Sequence, residues 1–136
     1  MKVLIAEDDF TCRKLLQKFL SDYGECDIAV DGKEAVEAFK MAWVHKEPYD
    51  LICMDIMMPN MDGQDAPKEI RTVEEDLGIK DQDHAKVIMT TALDDPKNVM
   101  KAYYKGGATA YIVKPISKKQ LLEELQKLNL IEAERI

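Results

Sequence analysis

The sequence lacks several features that would place the protein in other classes. No apolar run approaches the roughly 20 residues that a transmembrane helix needs. The N-terminus, MKVLIAEDDF, reaches acidic residues after four apolar ones, too few for a signal peptide. Basic residues are not in excess, because 26 acidic and 19 basic residues give a formal net charge of −7. We therefore expect a cytoplasmic protein with no membrane insertion and no direct nucleic-acid partner.

Cysteine is also scarce. Cys12, Cys26 and Cys53 are three in number, and an odd count excludes full internal pairing, so we expect reduced thiols without a redox role. The remaining composition is ordinary, since 46% of the 136 residues are hydrophobic and 33% are charged. These values predict one globular domain over residues 1–136. Met1 and the completed last predicted helix suggest a whole protein, and the alternative that the chain was cut from a longer one stays open.

Short apolar runs alternate with helical patterns from one end of the chain to the other. The five runs that predict strands cover residues 3–6, 26–30, 51–54, 87–89 and 110–113. Helical periodicity follows each run. Asp94 or Asp95 before Pro96 predicts the start of the fourth helix, and Ser117 with Gln120 forms a capping box before the fifth. This alternation predicts an α/β fold with a doubly wound parallel sheet and helices on both faces.

Two further local predictions concern caps and loops. Asp9 and Thr11 are equally good candidates to cap the first helix, and Asp31 is a candidate for the second. The charged stretch 74–86, which contains Gly78, predicts a frayed helix end followed by a surface loop. His45 and His84 fall in predicted loops, and we expect both to be solvated.

Polar residues follow four of the predicted strands at the points where the strands end. They are Glu7, Asp8 and Asp9 after the first strand, Asp55 after the third, Thr90 and Thr91 after the fourth, and Lys114 after the fifth. Because parallel strands bring their carboxyl ends to one edge, these residues should converge there. Carboxylates held close need a counter-charge, and a hard cation such as Mg²⁺ with oxygen ligands provides it. Carboxylates, a metal, a lysine and a threonine together form a site for a phosphoryl group, with Asp as nucleophile.

The sequence resembles the receiver domain of two-component response regulators over essentially its whole length. The matching motifs are Glu7-Asp8, Asp55 within MDIMMPNMDG (residues 54–63), Thr91-Ala92 and Lys114-Pro115. The resemblance implies a flavodoxin-like sandwich with strand order 2-1-3-4-5. It also implies a function as a phosphoacceptor that takes a phosphoryl group from a histidine kinase, a His-phosphotransfer protein or a small phosphodonor.

The resemblance also assigns roles to individual residues. Asp55 is implied as the phosphoacceptor, and Thr91 and Lys114 as the groups that bind the phosphoryl group. The implied ligands of Mg²⁺, for which Mn²⁺ can substitute, are Glu7, Asp8, Asp55 and the backbone carbonyl of Met57. Thr91 and Tyr111 are the implied switch residues, and the Lys114–Pro115 bond is expected to be cis. Between Thr90 and Thr91, the Ala92 that follows favours Thr91.

Met57 and Leu93 stand where the family commonly places side chains that tune hydrolysis of the acyl phosphate. Neither side chain can orient a water molecule, so we expect a signalling protein that catalyses its own phosphoryl uptake and dephosphorylates itself slowly. Met57 also argues against a phosphohydrolase, because such enzymes place a second acid there. Glu7 and Asp8 argue against a flavodoxin-type electron carrier, because they would repel a phosphate group.

No output module is visible in the sequence, so the signal is expected to leave through the surface of the fourth helix, fifth strand and fifth helix. That surface is also a candidate interface for a phosphorylation-dependent homodimer, and its protein target is unknown. Two alternatives stay open at this stage. One is a phosphorelay shuttle, and the other is a pseudo-receiver that binds partners without being phosphorylated.

Overall fold

The structure is a computed structural model that describes residues 1–55, 65–91 and 108–132, with only the backbone of Asp65 and Thr91. Its strands are β1 (Lys2–Ala6), β2 (Glu25–Ala29), β3 (Leu51–Asp55), β4 (Lys86–Thr91) and β5 (Ala110–Val113). Its helices are α1 (Phe10–Leu20), α2 (Gly32–Val44), α3 (Asp65–Asp76) and α4 (Lys118–Lys127), with a 3₁₀ turn at Asp81–Asp83. The α4 helix corresponds to the fifth helix predicted from the sequence. The predicted fourth helix and the turn at residues 58–63 lie outside the described residues.

The five strands form one parallel sheet in the order β2-β1-β3-β4-β5, which confirms the predicted fold class and strand order. The strand order reverses between β1 and β3, which are adjacent in the sheet although β2 separates them in the chain. Ligand crevices in such sheets form outside the carboxyl ends of the strands at this reversal. The last residues of β1 and β3, and the residues just after them, therefore border the expected site.

Alternating side chains of the strands supply two apolar cores, one on each face of the sheet. Leu4 and Ala6 belong to the core beneath α2 and α3, whereas Val3 and Ile5 belong to the core beneath α1 and α4. All five residues of β3 are buried. Burial on both faces explains why β1 and β3 are continuous apolar runs in the sequence.

Side-chain caps fix the start of three helices. Asp9 Oδ2 accepts a hydrogen bond from the Cys12 N–H at 3.0 Å, so Asp9 rather than Thr11 caps α1. Asp31 caps α2 and Ser117 caps α4 in the same way, as predicted. Because Asp9 caps α1 only three residues after β1 ends, Glu7 and Asp8 are held in a short connection above the sheet.

The prediction of a frayed helix end followed by a surface loop over residues 74–86, with His84 solvated, is wrong for Glu74 and His84. Glu74 is fully buried at the end of α3, and His84 is only partly exposed. The Glu74 carboxylate binds the Arg71 guanidinium and accepts a hydrogen bond from the Ala85 N–H. Glu74 is therefore buried because its carboxylate accepts hydrogen bonds from a side-chain donor and a backbone donor.

Among the described residues, no helix has both the length and the apolar character needed to cross a membrane. Cys12, Cys26 and Cys53 are all free thiols.

Candidate functional site

Three carboxylates converge at the carboxyl ends of β1 and β3. One oxygen from each of Glu7, Asp8 and Asp55 lies within 4.8 Å of the other two. Glu7 is fully buried and Asp55 is 8% exposed, whereas Asp8 faces solvent. Carboxylates this close repel one another unless a cation lies among them. Oxygen donors in such a group are the ligands that hard divalent cations prefer, so the group can hold a metal ion.

Lys114 supplies the positive charge of the site. Its Nζ lies 2.7 Å from Glu7 Oε1 and 3.1 Å from Asp55 Oδ2, so one ammonium group bridges two carboxylates. Partial burial lowers the pKa of Lys114. Its ion pair with Glu7, its hydrogen bond to Asp55 and the attraction of both negative charges outweigh that effect and raise the pKa above its usual value. Lys114 is therefore an ammonium ion at neutral pH.

Hydrogen bonds of backbone groups and of side chains fix the connection between β1 and α1. The Glu7 N–H donates to the Ala29 carbonyl at 3.0 Å, which extends the pairing of β1 with β2 by one residue. The Arg13 guanidinium donates to the Glu7 carbonyl at 3.1 Å, and the Asp9 N–H contacts Glu7 Oε2 at 3.4 Å. These bonds fix the direction in which the Glu7 side chain enters the site.

Cys12 lies in the first turn of α1, against the Glu7 side chain. Burial raises the pKa of the Cys12 thiol to about 12, and a hydrogen bond with Glu7 and the nearby negative charges contribute to this shift. Burial likewise raises the pKa of the Cys53 thiol to about 12. Cys26 is half-buried and its pKa is also raised, chiefly by burial.

We expect Cys12 and Cys53 to resist alkylation in the folded protein. Raising a thiol pKa from 9 to about 12 lowers the thiolate fraction near pH 8 by about a thousandfold, and only the thiolate reacts readily. Mass spectrometry after treatment with iodoacetamide should find both residues unmodified in the native protein and modified after unfolding in urea. Modification of Cys12 as fast in the native protein as in urea would contradict this.

The two threonines that end β4 are placed differently. Thr90 pairs in register with Asp55 of β3, and Thr91 pairs with Val113 of β5. The Thr90 side chain is 2% exposed. For Thr91 the structure describes the backbone alone, which ends β4 at the same edge of the sheet as Asp55.

Two further predicted features of the site lie on β5 or directly after it. Tyr111 lies on β5 with its side chain 47% exposed. The Lys114–Pro115 bond is cis, as expected. Met57 and Leu93 lie outside the described residues. The structure therefore brings together Glu7, Asp8, Asp55 and Lys114, and it places Tyr111 on the strand that leads to Lys114.

Comparison with known proteins decides the family. Residues 3–126 match the family model described as the response regulator receiver domain. The chain belongs to this family. It is 34% identical over 130 residues to the chemotaxis protein CheY of Thermotoga maritima, an alignment that covers 94% of this chain and 97% of that protein.

The chain spans less than half the length of several other relatives that it matches. It is 40% identical over 121 residues to a probable transcriptional regulator, ycf27, of Guillardia theta, covering 88% of this chain but 42% of that protein. A solved structure with a similar fold is the complex of the Saccharomyces cerevisiae histidine phosphotransfer protein Ypd1 with the receiver domain of its response regulator Ssk1. That match has a TM-score of 0.79 at 25% identity and covers 97% of this chain and 92% of that one.

Sequence reasoning missed the position of two side chains in this receiver domain. The sequence predicts for Cys12 only a reduced thiol, but the structure packs it against Glu7. The motif favours Thr91 and assigns no role to Thr90, which the structure buries beside Asp55 in the strand register. The strand pattern does indicate that Thr90 is buried. Thr90 lies two residues after Ile88, so both side chains face the core beneath α1 and α4.

Proposed function

We propose that this receiver domain, over residues 1–136, accepts a phosphoryl group on Asp55 and passes the signal to a protein target. The observation that supports this most strongly is the contact of Lys114 with both Glu7 and Asp55, beside the exposed Asp8. Asp55 therefore lies beside the Lys114 ammonium group and a candidate metal site. The same geometry argues against a pseudo-receiver, because each charged group that the reaction requires is present.

The carboxylate group fits Mg²⁺, for which Mn²⁺ can substitute. Glu7, Asp8 and Asp55 would hold the ion through oxygen atoms, with the Met57 carbonyl as a further ligand. When bound, a divalent ion offsets negative charge on the phosphoryl oxygens. Its presence would also leave Lys114 available to bind the phosphoryl group rather than to neutralise two carboxylates.

Transfer to Asp55 needs no proton from the acceptor. A carboxylate oxygen of Asp55 forms the new bond to phosphorus while the bond from phosphorus to the donor breaks. The bonding electron pair leaves with the donor atom, a ring nitrogen when the donor is a phosphohistidine, and solvent protonates that nitrogen. Lys114 and Thr91 are proposed to stabilise the charge on the transferring oxygens.

The donor is proposed to be a sensor histidine kinase or a His-phosphotransfer protein. A phosphoryl group adds a charge of about −1.5 to −2. Thr91 and Lys114 are proposed to move toward its oxygens, and the Tyr111 ring is proposed to turn inward. The reader surface is proposed to comprise the predicted fourth helix, β5 and α4, and it would contact a protein target or a second copy of the chain. Hydrolysis is proposed to be slow, and a phosphoryl lifetime of seconds at neutral pH would contradict this.

The proposal is tested by incubating the protein with acetyl phosphate and recording its intact mass, with Mg²⁺ or with EDTA. The expected result is a gain of one phosphoryl group that requires the divalent ion. Absence of any gain, when calorimetry shows that Mg²⁺ is bound, would contradict the proposed function.

A further inference from the structure

Thr90 contains a buried hydroxyl group without a hydrogen-bond partner among the described residues. The side chain is 2% exposed, and Oγ1 is inaccessible to solvent. A buried hydroxyl that finds no partner loses its bonds to water without replacement. Such groups are uncommon in folded proteins, so each one calls for a specific explanation.

The strand register places this hydroxyl in the row of residues that forms the site. Cys53 and Ile88 pair across β3 and β4, and both face the core beneath α1 and α4. Asp55 and Thr90 are also paired, and each lies two residues further along its strand. Because side chains alternate between the two faces of a strand, Asp55 and Thr90 point to the same face of the sheet as Cys53 and Ile88. Neighbouring strands lie about 4.8 Å apart, so the two side chains leave adjacent strands on the same face and at the same level of the sheet.

Thr90 also lies between the two charged groups of the site along the sheet. Its strand, β4, separates β3, which contains Asp55, from β5, which leads into Lys114. Lys114 nevertheless reaches Asp55 at 3.1 Å, so the contact is made across the end of β4. The hydroxyl is therefore enclosed by the strands that support the reacting groups.

We propose that the Thr90 hydroxyl donates a hydrogen bond to an oxygen of the phosphorylated Asp55 side chain. The inference rests on the proposed function. In the resting protein the hydroxyl is desolvated without a partner among the described residues, whereas the phosphorylated Asp55 side chain would bring additional acceptor oxygens to this edge of the sheet. The hydroxyl therefore favours the phosphorylated state over the resting state, in addition to any contribution from Thr91.

The test compares Thr90→Val, which removes the hydroxyl and keeps the shape, with Thr90→Ser, which keeps the hydroxyl. Phosphoryl uptake from acetyl phosphate with Mg²⁺ is followed by intact mass. We expect uptake to be about tenfold slower in Thr90→Val and within about twofold of wild type in Thr90→Ser, because a hydrogen bond to a charged group has about this effect. The thermal midpoint of unphosphorylated Thr90→Val should equal or exceed that of wild type.

Two results would overturn the inference while leaving the proposed function intact. One is uptake by Thr90→Val within twofold of wild type. The other is an equal loss of uptake in both variants together with lower thermal midpoints, which would show that Thr90 matters only for packing. No uptake by the wild-type protein with bound Mg²⁺ would instead reject the proposed function, and this inference with it.

Discussion

Replacing Asp55 by asparagine is expected to abolish phosphoryl uptake completely. The acceptor must provide a carboxylate oxygen as the nucleophile, and a neutral amide oxygen is a far weaker one. Glu7 cannot take its place, because its side chain is fully buried. Asp8 is exposed, but the contacts of Lys114 are with Glu7 and Asp55, so we expect no transfer to Asp8 in the variant. Intact mass after incubation with acetyl phosphate and Mg²⁺ measures the effect.

The loss in Asp55→Asn should not come from unfolding. The substitution removes one of three crowded negative charges and keeps the side-chain shape, and the 2.7 Å contact of Lys114 with Glu7 is retained. Its thermal midpoint should therefore stay at or above that of wild type. Asp22→Asn, on an exposed aspartate in the turn after α1, is the matched control and should be phosphorylated normally. Phosphorylation of Asp55→Asn at the wild-type rate would refute the assignment.

Replacing Glu74 by alanine is expected to destabilise the fold by about 3–5 kcal/mol, as removal of one partner from a buried ion pair does. The carboxylate is fully buried, and its Oε1 lies 2.6 Å from an Arg71 nitrogen. Its Oε2 accepts a hydrogen bond from the Ala85 N–H at 2.8 Å. Alanine would leave a partly buried guanidinium and a buried N–H group without this acceptor.

Urea unfolding measures this difference directly. Glu75→Ala is the matched control, because Glu75 is the next residue of α3 and its side chain is exposed, so a change within about 0.5 kcal/mol is expected. Glu74 lies in α3, away from the carboxylate cluster, so phosphoryl uptake by folded Glu74→Ala should match that of wild type. A destabilisation under about 1 kcal/mol would show that Glu74 contributes little to the fold.

The sheet and the acidic part of the site could be predicted because local patterns encode them. Continuous apolar runs mark strands buried on both faces, and the polar residues that follow each run must gather at one edge of a parallel sheet. The sequence therefore predicts that Glu7, Asp8, Asp55 and Lys114 lie together, as they do in the structure. It could not show that Lys114 bridges Glu7 and Asp55, because this depends on the direction of a flexible side chain.

Glu74 and Thr90 show where sequence patterns fail. A glutamate among other acids at a helix end has the pattern of an exposed residue, and its burial depends on Arg71 and Ala85 being brought to it by the tertiary fold. A threonine near the end of a strand is common. Its hydroxyl is exceptional here because it is buried and finds no partner in the part of the chain that the structure describes. Both features arise from long-range packing, which local periodicity does not report.

The most direct measurement is to locate the phosphoryl group. The protein would be phosphorylated with acetyl phosphate and Mg²⁺, the acyl phosphate reduced with borohydride, and the peptides mapped by tandem mass spectrometry. We expect conversion of Asp55 alone, to homoserine, in an amount that matches the phosphoryl group gained by the intact protein. Conversion at Asp8 or Asp9, or a gained phosphoryl group with Asp55 unchanged, would contradict it.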